Sequence, residues 1–373
     1  MSDLKSATNR TWTLRAATED DAEGILQLRK TTFPDEDYEK QELSYWRWEF
    51  IDNHAGTAKM FVAVDGSAII GYYAVIPQHF ICNNATLQGA IVVDVMTHPD
   101  YRFQGMFTAI GRFALQSCAD TTDLEFTTGY PIRPEVIPGH LKVGWNVSFK
   151  IGIWVQPLSL QGILRSRIFV LKRHPALAKV ISFLPDLLFR LSPSLNLRDN
   201  TTYKVERASR FDSQRFQHFW KNCLSTIPPE CILQKRSADY LAWRYDSNPG
   251  RTYTYHLALG ADDTLLGFIV TRVVEFSSIK MLVLVDACCA QKNNTDIYRL
   301  LAKDVYDLAR KCQCSLSVMM VSQPNFMFPS PWKLGFLPTP FKFSFITRIL
   351  KKHSIIEQNG LSWHLMWGDT DDV

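Results

Sequence analysis

A nine-residue stretch occurs twice in this chain, and the second occurrence constrains the architecture more than any local signal. Tyr45-Trp46-Arg47-Trp48-Glu49-Phe50-Ile51-Asp52-Asn53 and Tyr240-Leu241-Ala242-Trp243-Arg244-Tyr245-Asp246-Ser247-Asn248 share Tyr, Trp, an aromatic and Asn at one displacement of 195 residues. The same displacement carries Val62-Ala63 onto Leu257-Ala258, and with one residue of slippage DGSAIIGYYAVI (65–76) falls on DDTLLGFIVTRV (262–273). VVDVMTH (92–98) then falls on LVDACCA (284–290), and Lys142-Val143-Gly144-Trp145 on Lys333-Leu334-Gly335-Phe336. Two copies of one unit must bury the same faces in the same order. The 373 residues also exceed the length at which a single core usually stops growing. The repeat therefore predicts two tandem domains, 1–155 and 205–373, joined by a segment over 156–204.

Copy one reads as a mixed αβ unit. Trp12 to Arg15 is strand-like, and Thr18 offers an N-cap to a helix with Ala22, Ile25, Leu26 and Leu28 inward. Met60–Val64, Ala68–Pro77 and Ala90–Met96 alternate or run apolar, with Asp65-Gly66 as a hairpin signal. A helix over Gly105–Ala119 and strands over Leu124–Thr128 and Val147–Val155 complete the copy. The expected fold class is α/β, with each copy a mixed, mostly antiparallel sheet flanked by helices. The recurrence of Trp48 as Trp243, with Trp46 beside them, points to helix packing rather than sugar stacking.

Composition removes several function classes. A net charge of +4 over 41 basic and 37 acidic residues leaves no nucleic-acid footprint. The first twenty residues hold no apolar signal region, so the expected compartment is cytoplasmic. Eight cysteines without paired CxxC spacing read as reduced small hydrophobes, and no metal site is expected. No stretch reaches the length and apolarity of a membrane span. The nearest, Ile168–Leu191, is broken by five charges and two prolines. It reads as a pair of amphipathic helices that either cover a cleft or rest on a membrane surface.

The stretch with most chemical content is His98-Pro99-Asp100-Tyr101-Arg102-Phe103-Gln104-Gly105-Met106-Phe107, which stands between a strand and a helix. A helix's first turn carries unpaired N–H groups and the positive end of its dipole, and a glycine lets backbone approach phosphate oxygens. Arg102-Phe103-Gln104-Gly105-Met106-Phe107 resembles motif A of the GNAT superfamily of acyl-CoA-dependent N-acetyltransferases, (Arg/Gln)-x-x-Gly-x-(Gly/Ala), with Phe107 in place of the last glycine. The opening LRAATEDDAEGILQLR and the LKVGW at 141–145 are similar to that family's opening and to its YxKxGF, and WRWEF and the closing WGDTD resemble tandem GNAT proteins. The resemblance spans nearly all of copy one.

It implies acetyl-CoA (coenzyme A) as cosubstrate, with its diphosphate on Arg102, Phe103, Gln104, Gly105, Met106 and Phe107. The pantetheine arm would lie along Val95, Met96 and Thr97. Copy two has Gln291-Lys292-Asn293-Asn294-Thr295 at the corresponding turn, with neither arginine nor glycine, so it is expected to bind no coenzyme.

Acyl transfer to an amine needs a group that takes the ammonium proton, donors for the oxyanion and an acid for the thiolate. The family's tyrosine acid position corresponds to His140, the first catalytic candidate, against the plainer reading of a capping or solvent-facing histidine. Tyr130 is its substitute. Asp94, on the strand leading to the loop, is the candidate base, in an apolar run where a carboxylate is desolvated. Asp286 recurs at its place in copy two, so a structural hydrogen-bonding role is equally open. Glu125 and Glu135 follow with lower weight. The acidic end, Trp367 to Val373, either frays into solvent or folds back, anchored by Trp363, Leu365 and Trp367.

The expected function is an N-acetyltransferase acting on a primary amine of a small molecule, with an amino sugar or sugar nucleotide implied by the resemblance. The alternatives are a non-catalytic acyl-CoA-binding module and a membrane-surface long-chain acyl or peptidyl transferase.

Overall fold

The computed structural model describes residues 11–34, 38–159, 203–210, 212–290, 294–352, 354–357 and 360–371. The amphipathic stretch 168–191 and most of the joining segment lie outside these residues.

Copy one runs β1 (Thr13–Ala16), α1 (Ala22–Thr32), α2 (Leu43–Phe50), β2 (Lys59–Asp65), β3 (Ala68–Cys82), β4 (Ala85–Thr97), α3 (Met106–Thr121), β5 (Phe126–Gly129), α4 (Ile137–Lys142) and β6 (Asn146–Pro157). Copy two repeats the order as β7 (Lys204–Ala208), α5 (Ser213–Leu224), β8 (Cys231–Gln234), α6 (Ala238–Leu241), β9 (Thr254–Leu259), β10 (Leu265–Phe276), β11 (Ile279–Cys289), α7 (Thr295–Lys311), β12 (Leu316–Val321), β13 (Leu337–Ile349) and β14 (Ser362–His364). α6 continues into a π turn over Ala242–Asp246. The apolar residues at helical spacing in α1, Ala22, Ile25, Leu26 and Leu28, are its buried face.

The expectation of two sheets is corrected, because the copies share one. Its strand order is β1-β2-β3-β4-β5-β13-β6-β12-β11-β10-β9-β7, with β8 and β14 attached off this path. The order is the same read from either end, each strand of one copy matching its counterpart in the other. The last strands have crossed over: β13 pairs β5 (Ile346↔Gly129) as well as β6 (Phe345↔Phe149), and β6 pairs β12 (Val155↔Val318). Had each copy closed on itself, β6 and β13 would have presented open edges, and the exchange satisfies those backbone groups.

An approximate twofold axis therefore passes through the middle of the sheet. Near it Trp48 stacks on Trp243 with ring centroids 5.0 Å apart. Trp48 Nε1 donates to the Trp243 carbonyl at 2.8 Å, and Trp243 Nε1 donates to the Trp48 carbonyl at 3.0 Å. The repeated tryptophans hold the two copies together.

In copy one the sheet has two covered faces. α1 and α2 cover the face of Tyr72, Ala74, Ile91, Val93 and Met96, and α3 covers that of Tyr73, Val75, Ala90 and Val92. Gly71 sets how closely α3 sits, since a Cβ there would stand 2.8 Å from the Met106 sulfur. The cysteines of the described residues are free thiols.

Candidate active site

β4 departs from β5 midway. Their parallel pairing runs over Gly89↔Phe126, Ala90↔Thr127 and Ile91↔Thr128, and β5 ends at Gly129. From Val92 to Thr97 β4 has strand neighbours on its β3 side only, among the described residues. The pairing shifts within this half, from Ala74↔Val93 to Tyr72↔Met96, leaving Asp94 and Val95 opposite Tyr73. Asp94 takes a left-handed φ of 49° in that bulge. The result is a notch whose wall is a free row of strand N–H and C=O groups, a surface that can accept an extended chain.

The notch leads into the loop before α3. Phe103 and Gly105 both have left-handed backbone, φ 64° and 77°. The main-chain N–H groups of Gly105, Met106, Phe107 and Thr108 meet no acceptor among the described residues, and no side chain caps the helix. Arg102 and Phe103 are exposed, Phe103 fully so, and Gln104 donates to the Asp100 carbonyl at 3.2 Å. Phe107 turns away from the loop. Its ring meets His140 edge-on at 5.0 Å and covers Gly139, where a Cβ would come within 2.6 Å of it. The residue that departs from the family pattern thus packs α3 against α4 and leaves the loop clear. This arrangement of free amides, positive dipole end and open strand edge fits the diphosphate and amide arm of coenzyme A.

Copy two has the same notch, filled from within. β11 and β12 pair only as far as Leu284↔Met319. Beyond them, Val321 bridges to Met366 and His364 Nε2 lies 3.2 Å from the Ala287 carbonyl. Arg236, 1% exposed, donates to Asp286 at 2.8 Å and to both carboxylate oxygens of Asp369. Gly368 lies so close that a Cβ would meet the Tyr245 hydroxyl at 2.4 Å. At the head of α7 the Asn294 side chain accepts from Asp296 N and Ile297 N. The chain's own C-terminal segment and a cap stand where copy one is open, so the solvated reading of residues 367–371 is corrected.

The candidate catalytic residues are not brought together. His140 is 7% exposed, boxed by Phe107 and by Trp145 at 5.5 Å on the α3 face. Burial pushes its imidazole down to about 4, so at neutral pH it is uncharged and a poor donor to a thiolate, contrary to the near-neutral value expected. Asp94 points to the opposite face and holds Arg29 at 2.5 Å. The lone desolvated carboxylate expected there is instead one half of an ion pair. Tyr130, at the end of β5, packs on Phe345 on that same face, and burial pushes its phenol well above the ordinary range. Glu125 accepts from the Gln88 amide at 3.2 Å, and Glu135 is exposed on a turn.

The residue missed in the sequence is Glu49 of α2. With Gln78, Gln234, Tyr240, Arg244 and Asp371 it lines a cavity of about 10 Å³ between the copies. Its carboxyl is pushed up to about 7, chiefly by burial, against the opposing pull of Lys40 and with Asp94 and Asp371 adding to the rise. The signal was present: a carboxylate within WRWEF, on a helix face otherwise aromatic, must be desolvated.

Residues 13–147 match the family model of an acetyltransferase (GNAT) domain. No curated protein matches the chain by sequence. Solved structures of similar fold include a GCN5-related N-acetyltransferase from Anabaena variabilis ATCC 29413, 13% identical, with 91% of this chain and 73% of that one covered and a TM-score of 0.60. A conserved protein of Enterococcus faecalis V583 described as a probable N-acyltransferase is 10% identical over 91% of this chain and 73% of its own, TM-score 0.62. N-myristoyltransferase of Saccharomyces cerevisiae with bound myristoyl-CoA and inhibitors is 10% identical over 93% and 82%, TM-score 0.58.

Proposed function

We propose that this chain, whose residues 13–147 match the GNAT acetyltransferase domain model and whose fold is similar to solved N-acetyltransferases, moves an acetyl group from acetyl-CoA to a primary amine of a small polar molecule, an amino sugar or sugar nucleotide being the acceptor class to test first. One observation carries the reading. The notch along Val92–Thr97 runs into an uncapped helix start at Gly105 in copy one, whereas the matching places in copy two are filled by the protein itself. A cleft left open in one copy and closed in the other points to a ligand in the first.

Main-chain groups of Val95, Met96 and Thr97 hold the pantetheine arm as a further strand would, and the amides from Gly105 to Thr108 hold the diphosphate, with Arg102 adding charge. Phe103 supports the assignment. A bulky residue in left-handed backbone with its ring wholly in solvent bears strain without packing in return, as residues at ligand sites do. The cosubstrate supplies the activated acyl group. Tyr130, just past the end of β5 and kept protonated by burial, returns a proton to the departing sulfur. Phe80, Phe126, Phe345 and Trp363 form a continuous aromatic cluster under β5, with centroid spacings of 5.0 to 6.0 Å, which favours a short acyl group over a long chain.

The test is a melting curve with acetyl-CoA. A ligand bound only by the folded protein raises the melting temperature as its concentration passes its dissociation constant. Thiol release with a panel of primary amines then separates an enzyme from a binder. No shift at millimolar acetyl-CoA refutes the reading.

A further inference from the structure

Glu49 enters the cavity between the copies with no partner of its own. It is 3% exposed, yet its carboxylate makes no hydrogen bond or ion pair among the described residues. The charges around it are already matched to each other, Lys40 to Asp371 at 2.8 Å and Arg29 to Asp94 at 2.5 Å. On the same cavity Gln234, 1% exposed, leaves both amide atoms unpaired, and Gln78 of β3 stands beside it. Buried polar groups left unsatisfied are costly, and chains keep them where a ligand completes the bonds. Ile91, the last β4 residue paired to β5, lines the cavity too. The cavity therefore lies where the notch opens, on the α1 and α2 face, and its volume suits a single ammonium head.

We infer that Glu49 is the base that takes the proton from the acceptor's ammonium group in this cavity, with Gln78 and Gln234 holding the acceptor's hydroxyl or amide groups. The inference rests on the acyl-transfer reading above. Glu49, as carboxylate, accepts one proton from the R–NH3+ group. The freed nitrogen lone pair bonds to the thioester carbonyl carbon, and the C–S bond breaks with its electron pair on sulfur. Tyr130 gives its phenol proton to that sulfur and takes the second nitrogen proton in its place, giving an amide and a free thiol, and Glu49 returns its own proton to solvent. The groups facing Glu49 are Lys40, Asp371, Arg29 and Asp94, with the phenols of Tyr45 and Tyr72 and, across the cavity, Tyr240 and Arg244. Both carboxylates raise its affinity for a proton and both cations lower it, and burial decides the balance. A base poised in this way works near neutral pH.

The experiment compares wild type with Glu49→Gln. Thiol release from acetyl-CoA is followed with glucosamine, ethanolamine and putrescine across pH 5 to 9, and melting is followed over the same range without substrate. Wild type should gain rate with a midpoint near 7. E49Q should be about 10² to 10⁴-fold slower and lose that midpoint, while its melting shift with acetyl-CoA stays as in wild type. Melting gives the second readout. A carboxyl raised in the fold contributes stability that is present at low pH and is lost as pH rises through about 7, so wild type should lose more melting temperature there than E49Q, which keeps the smaller loss from Asp369, raised to about 6.

If E49Q does not fold, Glu49→Asp replaces it, with a lower rate and the midpoint retained. E49Q that keeps wild-type rate and midpoint, or melting curves that run parallel in pH, overturns the inference. Absence of thiol release by wild type with every amine is a different failure, that of the acyl-transfer reading.

Discussion

Replacing Gly105 separates what the loop costs the apo protein from what it does for the ligand. Gly105 has φ 77°, and an added Cβ would meet nothing within 4 Å. Gly105→Ala therefore creates no clash, only the penalty of a left-handed L-residue, about 1–2 kcal/mol, partly offset by about 0.4–1 kcal/mol from a stiffer unfolded chain. The net loss is about 1 kcal/mol, or a fall of about 2–4 °C in melting temperature. The added methyl stands where a diphosphate would approach the amides of Gly105 and Met106. Each charge-assisted bond lost there costs about 1.5–3 kcal/mol, so acetyl-CoA should bind about 10- to 100-fold more weakly. Gly105→Asn makes the distinction sharper. Asn tolerates left-handed backbone and should recover most of the stability, yet its larger side chain should bind the ligand no better than Ala does. Differential scanning calorimetry measures the first effect and isothermal titration with acetyl-CoA the second. If G105N binds acetyl-CoA as tightly as wild type does, the glycine serves the turn alone and the diphosphate is not held there.

Asn294→Ala, which removes the cap from α7, should cost about 1 kcal/mol in denaturant unfolding and leave the acetyl-CoA melting shift unchanged, since copy two is expected to hold no coenzyme. Arg236→Ala strands Asp286 and Asp369 in the core, and the expected loss is about 3–5 kcal/mol; a melting temperature near wild type would contradict the buried triad. Trp48→Ala and Trp243→Ala each remove one indole hydrogen bond to the other residue's carbonyl, and both remove the single stack they share. Their double mutant should therefore fall short of additivity by about 0.5–3 kcal/mol, and strict additivity would mean that the two copies are not coupled through them. His140→Phe should leave the thiol-release rate and its pH profile in place, because the imidazole is already uncharged at neutral pH.

Much of this molecule was legible before any coordinates. The 195-residue displacement predicted two copies, and Trp48 and Trp243, related by that displacement, meet across the axis. Strand alternation located β2 to within one residue at each end and β3 and β4 with one end of each five residues short, and the glycine expected ahead of α3 takes left-handed backbone there. The chemistry of single residues was less legible. Asp94 and Glu49 are both carboxylates among apolar neighbours, and nothing in their local sequence says which one will find a cation. Arg29 reaches Asp94 from 65 residues away, and that contact leaves Glu49 as the unpaired group.

The sequence alone determined the repeated unit, its strands and helices, and a glycine turn ahead of a helix in copy one only, because periodicity, caps and glycines act over a few residues. Tertiary structure decided the rest. It exchanged β6 and β13 between the copies, laid residues 362–370 into the notch of copy two, and enclosed Glu49 with Gln234 in one cavity. Each of these joins residues far apart in the chain. Their pairing depends on which open edge and which buried charge remains to be satisfied once every other element is in place.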